Sequence, residues 1–228
     1  RRFFVLLIAA LSTARLWANG IFSSTSRLDR FCFGSCNKQK KSQKYWNVIA
    51  KMNPQLWVWL GDNIYANDAS PEERAAEYAR QNSAPEYAAF KSRVPITGIW
   101  DDHDYYTNNA DGNYSDKDES QKLALDFLGE PANSLRRNQQ GLYCAYSYGE
   151  VGQQVQFIML DTRYFKRLDS EYPMIGKTQF NWFVKTLNDS KASMIFVLTG
   201  VHMTSEVAGG MFEPEGWSEF PEERQRIL

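Results

Sequence analysis

Three short apolar runs in this chain each stop on an aspartate. They are QLWVWL before Gly61-Asp62, GIW before Asp101-Asp102, and FIML before Asp161. A short apolar run ended by glycine or an acid reads as a strand buried on both faces. Such strands occur in sheets covered by helices, so the pattern points to an α/β chain. The acids then stand at the carboxyl edges of their strands, where ligands of open α/β sheets gather.

The segments between these runs agree. A short strand is expected over residues 30–34, closing on Ser35-Cys36. A polar basic stretch (38–44) leads into a helix through Trp46, Ile49 and Met52 that ends before Pro54. Ser70-Pro71-Glu72-Glu73 combines a cap, a first-turn proline and a capping glutamate, so a helix should start there and run to about Gln81. Pro85 opens another towards Phe90. Residues 94–100 read as a strand, 105–120 as a polar loop and 121–128 as a helix stopped by Gly129 and Pro131. Residues 141–148 and 154–160 look like paired strands, 178–187 like a helix, and 194–199 like one more buried strand.

The 228 residues suffice for one good-sized core. Hydrophobic residues make up 43%, charged residues 23%, and the net charge is -1. That balance gives no reason to expect a nucleic acid or an anionic membrane surface as partner. The interrupted basic stretch 38–44 reads as a solvated face. Residues 1–20 read as a signal peptide: Arg1-Arg2, an apolar run over 3–11 too short to span a bilayer, then small residues around Ala18-Asn19-Gly20. Arg-Arg-Phe-Phe-Val-Leu also has the form of a twin-arginine signal. The domain proper is expected over 21–228, exported to the periplasm or outside the cell, without a stable membrane span. The composition says nothing about the oligomeric state. Of the three cysteines, Cys32 and Cys144 can be buried apolar thiols or a bridge.

Five acids (Asp62, Asp101, Asp102, Asp104 and Asp161) follow buried strands. Gathered without a cation they would raise one another's pKa, whereas a metal removes that cost. Any single one of them serves equally well as a turn or helix cap. His103, inside the densest acidic cluster, suits proton transfer near neutral pH. Arg163 suits either a bidentate phosphate clamp or an ion pair with a neighbouring acid. Asn108 and Asp111, in the loop after the cluster, are oxygen donors or turn formers.

The segments FGSC (33–36), LGDNIY (60–65), WDDHD (100–104) and LDTRYF (160–165), in that order and spacing, resemble the motifs of the alkaline phosphatase D (PhoD-like) family of metallophosphoesterases. The likeness runs from about Phe31 to the last residue. It implies an α/β/β/α sandwich, two packed mixed sheets flanked by helices. It implies metal-dependent hydrolysis of phosphate esters, with a phospholipase D-like diesterase or a non-catalytic relic as alternatives. By this resemblance Asp62 bridges two metals, Tyr65 and Cys36 bind Fe3+, and Asp102 and Asn108 serve a second metal, Ca2+. His103 contacts phosphate and protonates the leaving oxygen, with Arg163 beside it. His202 has a weaker claim, because the family's branch favours glutamine there. The family's further Gly-Asp-x-His motif does not occur before Leu228, so the domain is expected to be incomplete at its C-terminal end.

Overall fold

The computed structural model describes residues 16–18, 21–204 and 215–228, with only the backbone for those before Ser24. Most of the expected signal segment (1–15, 19 and 20) lies outside the described residues.

Among the described residues, eight strands form two sheets. β1 (Leu16–Ala18), β2 (Ile21–Ser24), β6 (Cys144–Tyr148), β7 (Val155–Met159) and β8 (Met194–Leu198) make a mixed sheet in the order β1-β2-β6-β7-β8. β3 (Phe31–Gly34), β4 (Leu56–Leu60) and β5 (Ile96–Ile99) make a parallel sheet in that order.

The sheets pack face to face because alternate side chains of each strand point inward. Leu56, Val58 and Ile99 meet Cys144, Tyr146, Phe157 and Met159 between the sheets. The opposite face of β4 turns Trp57 and Trp59 towards a helical layer. That layer comprises α1 (Tyr45–Lys51), α2 (Pro71–Ser83), α3 (Pro85–Lys91) and α5 (Lys117–Leu128). Trp46 rests edge-on against Trp57 and Trp59, with centroids 4.8 and 5.4 Å away. On the far side of the mixed sheet, Ala145 and Ile158 pack against Ile175 and Phe183 of the segment carrying α6 (Gly176–Asp189). Trp217 and Phe220 complete that layer beside α7 (Pro221–Ile227). The result is the expected helix–sheet–sheet–helix sandwich. No described helix is long and apolar enough to cross a membrane.

The capping box at Ser70 forms as its sequence predicts. Glu73 N–H donates to Ser70 Oγ at 3.2 Å, and Ser70 N–H to Glu73 Oε2 at 2.8 Å. Three expectations change. α5 begins at Lys117, four residues before the helix expected at 121, because buried Ser120 is held by Arg74 and by the Tyr105 carbonyl. β8 is an edge strand whose Met194 is 54% exposed, not a fully buried one. Cys32, Cys36 and Cys144 are all free. Cys32 packs on the helical side of the parallel sheet and Cys144 between the sheets, so a bridge would have to cross the sheet.

A candidate metal centre at the strand ends

Beyond β3 and β4 the two chains continue side by side: Cys36 N–H donates to Gly61 O at 3.3 Å and Asn37 N–H to Asp62 O at 2.8 Å. Cys36 and Asp62 both sit in the left-handed region, at φ 58° and 50°. Non-glycine residues held there cost on the order of 1 kcal/mol each and concentrate at functional sites. Gly61 precedes Asp62 at φ 104°, and a Cβ there would lie 2.5 Å from Asp101 Cβ. Only glycine lets the two acid-bearing loops come this close.

Past β5 the chain makes one short turn of helix, α4 (Asp102–Tyr105). It carries Asp102 and His103 against Asp62, with one ligand-capable atom from each within 4.8 Å of the other two. Asp62 lies close enough to Asp102, Tyr65 and Cys36 for each to act on the other's ionisation, and Cys36 and Tyr65 act on one another in the same way. Tyr65 is clamped by Gln39: its N–H donates to Gln39 Oε1 and its carbonyl accepts from Gln39 Nε2, both at 3.0 Å. His103 packs on the Tyr65 ring at 4.3 Å, and its Nδ1 is hydrogen-bonded to Asn67 Oδ1. An amide oxygen only accepts, so this pairing puts the proton on Nδ1 and leaves Nε2 with its lone pair.

The five acids divide by partner. Asp104, fully buried, accepts the N–H groups of Asn63, Ile64 and Asp101, each at 3.1 Å. It ties the Asp62 loop to the Asp102 turn. Asp161 accepts the N–H groups of Leu142, Arg163 and Tyr164 at 2.6–3.0 Å and so shapes its own turn. Asp101 meets Arg163 Nε at 2.7 Å. Asp62 and Asp102 remain for the cluster. Asp102 accepts the N–H of His103 at 2.9 Å and of Asn109 at 2.7 Å.

Arg163 is 1% exposed and also reaches Ala110 O at 3.2 Å and Glu215 at 2.6 Å. This is the ion-paired arrangement, with the guanidinium fork occupied by protein groups. Asn108 is exposed in the turn after α4. Asp111 accepts from Asn113 N–H and Nδ2 as a turn former does. His202 is exposed, and its carbonyl accepts from Trp217 N–H.

Burial, reinforced by the charges of Asp101 and Asp102, lifts the Asp62 carboxyl to about 7. Burial also pushes Cys36 and Tyr65 up, with Asp62 adding to both. Burial works the same way on Asp102, but Arg163, the Asn109 N–H and His103 outweigh it and hold the carboxyl low. Asp62 Oδ1 is buried without a hydrogen-bond partner among the described residues. An orphaned carboxylate oxygen, a second acid and an imidazole converge within metal reach, with the Cys36 thiol and the Tyr65 phenol beside them, and a cation would satisfy the orphaned oxygen. The donor set fits a metal. The mixture of oxygen with sulfur suits a transition ion at the Cys36–Tyr65 side and a harder cation at the Asp102 side.

Sequence reading missed Gln39 and Asn67, and it grouped Asp104 with the ligand candidates although the structure gives it to backbone N–H groups. Gln39 lies within the stretch read as a solvated face. Asp104 has a signal, since it stands three residues after Asp101, the spacing of a capping pair. Asn67 has none. A separate cavity of about 360 Å3 opens at the opposite edge of the sheets, between Leu56, Ile96 and Glu130, remote from this cluster.

A family model for PhoD-like phosphatases matches residues 31–228. A solved structure of PhoD superposes with a TM-score of 0.72 at 19% identity, covering 90% of this chain and 50% of that one. At that identity the likeness is one of fold, and the chain spans half the length of that structure. No curated protein matches the chain significantly.

Proposed function

The chain belongs to the PhoD-like phosphatase family, and on that premise we propose that it hydrolyses phosphate esters at a metal centre held by Cys36, Asp62, Tyr65 and Asp102. The observation that carries this reading is the pair Cys36 and Asp62. Both are left-handed non-glycine residues, both stand just past a parallel strand, their loops are joined by backbone hydrogen bonds, and Asp62 carries an orphaned oxygen. Fe3+ at the Cys36–Tyr65 side and Ca2+ at the Asp102 side, with Asn108 as a further oxygen donor, follow the resemblance. Bound there, metal ions would neutralise phosphoryl charge and lower the pKa of the attacking water.

The chain's own groups do the rest. Asn67 holds His103 through Nδ1–H and so turns Nε2 towards the site; with a second proton taken up on Nε2, the ring gives that proton to the leaving oxygen and returns to the Nδ1–H tautomer. Arg163 holds Asp101, and with it the start of the turn that carries Asp102, so it is a positioning residue. Asp104 and Gln39 fix the loops of Asp62 and Tyr65. The cluster stands at the rim of the sheets, where a solvent-borne ester can reach it. Export through the N-terminal segment belongs to the same proposal, and blocking Arg1-Arg2 in a secretion assay tests it.

Elemental analysis beside hydrolysis of p-nitrophenyl phosphate and bis-p-nitrophenyl phosphate, with and without Ca2+ and a chelator, tests the central claim. Bound iron with chelator-sensitive turnover is the expected result. Metal-free protein that stays inactive after reconstitution would sink it. Preference for the diester would favour the phosphodiesterase alternative.

A further inference from the structure

The basic stretch between β3 and α1 has a use that the metal cluster does not absorb. A pocket of about 290 Å3 opens directly beside the cluster, and Cys36 lines both. Its base is Trp57 under Gly34, and its sides are Lys38, Lys41 and Tyr45. Gly34 keeps it open to the indole: a Cβ there would fall 2.8 Å from the Trp57 ring. Lys38 Nζ lies 5.1 Å over the ring of Tyr65, which places one cation on the shared rim of pocket and cluster. Lys40, the residue between the two lysines, is turned away to Glu77 at 3.1 Å. Lys38 and Lys41 have no carboxylate within ion-pair distance among the described residues. The turn that presents them is fixed, because Lys41 N–H donates to Lys38 O at 2.9 Å. The wall also holds a buried indole N–H, Trp57 Nε1, without a hydrogen-bond partner.

Two unpaired cations over an aromatic base, next to a cluster that is itself acidic, favour an anion that is not the one being hydrolysed. We propose that this pocket is a subsite for a second phosphate of the substrate, so that the preferred ester carries two phosphates a short linker apart. The proposal rests on the phosphoesterase reading for its scissile phosphate but on different residues for its specificity.

Kinetics and binding separate the two. In the first arm, kcat/KM is measured on fructose 1,6-bisphosphate and on fructose 6-phosphate. The native chain should favour the bisphosphate by about tenfold at low salt. In K38A/K41A, and to a smaller degree in K41A alone, that ratio should fall towards one. In the second arm, inorganic pyrophosphate is titrated into the purified chain while tryptophan fluorescence is read, since Trp46, Trp57 and Trp59 line the pocket. Its Kd should rise about tenfold in the double variant. Turnover with a ratio that ignores both lysines would overturn the subsite and leave the phosphoesterase reading standing. Lysine-dependent pyrophosphate binding in a chain that turns over neither these esters nor the nitrophenyl ones would keep the lysines as an anion site while overturning the phosphoesterase reading. No turnover together with lysine-independent binding would overturn both.

Discussion

β4 and β8 are five-residue apolar strands, LWVWL and MIFVL, that read nearly alike in sequence. Their surroundings differ. β4 lies between β3 and β5, and four of its five side chains are buried. Among the described residues β8 has β7 on one side only, and Met194 and Val197 are 54% and 38% exposed. The chain leaves β4 through Gly61 into Asp62, which enters the metal cluster. It leaves β8 through Thr199-Gly200 towards an exposed His202. Neighbours on both sides fix the end of β4 and its strained turn, and the equally strained Cys36 turn beyond β3 is tied to it by the Cys36 N–H to Gly61 O hydrogen bond. Among the described residues, the chain beyond β8 is tied at His202 O to Trp217 N–H rather than to a neighbouring strand's turn.

The sharpest way to break this comparison is at the end of β4. Asp62→Ala should cut phosphoesterase turnover on the order of a thousandfold and remove bound metal, read by elemental analysis with the assay. Equivalent loss from His202→Ala would show that the two strand ends are alike after all. Within β4, Trp59→Ala should cost about 3–5 kcal/mol by denaturant unfolding, because the indole is 1% exposed among Trp46, Trp57 and Tyr87.

His103→Ala should lower kcat roughly a hundredfold with metal content intact. Asn67→Ala should cost about tenfold and more on esters with poor leaving groups, while Asn67→Asp restores much of it. A loss that ignores the leaving group would point to a purely structural role for Asn67.

The acid at the end of β4 also gives the site a pH signature. The Asp62 carboxyl, 3.8 in its ordinary state, is held at about 7 in the folded chain. The folded form therefore keeps a proton that the unfolded form has given up, and this stability is complete below about pH 4 and lost as pH rises through 7. Thermal melts in chelator should thus fall by a few degrees between pH 5 and pH 8, and metal should reverse the drop. Asp102, held low, changes stability only at more acid pH; burial raises Asp101, Asp104 and Glu223 too, so Asp62→Asn should remove only the part of the drop that belongs to Asp62. A melt in chelator that is flat over this range would mean that the cluster is less buried than its geometry implies. The smallest effect belongs to β8: Val197→Thr should stay within about 0.5 kcal/mol, since its side chain is already part-solvated.

Local chemistry made much of this legible in advance. The capping box at Ser70, the β4 run and the paired strands β6 and β7 appear where their patterns put them, because each rests on contacts a few residues apart. Of the five strand-end acids, each had the same local context, a carboxylate after an apolar run. The composition of the runs could not say which would face a cation.

The sequence by itself determined that the chain alternates strands and helices, that acids stand at the carboxyl edges of buried strands, and which family its motifs resemble. Tertiary structure decided which acids serve which purpose. Asp104 and Asp161 are consumed by backbone N–H groups, Asp101 by Arg163, and only Asp62 and Asp102 are left beside His103. It also decided that β8 is an edge, and that Gln39 and Asn67 hold a tyrosine and a histidine far from them in sequence. Hydrophobic pattern is a local property of the chain. The partner of a polar atom depends on which loops the sheets bring together, and burial then makes every unpaired choice costly.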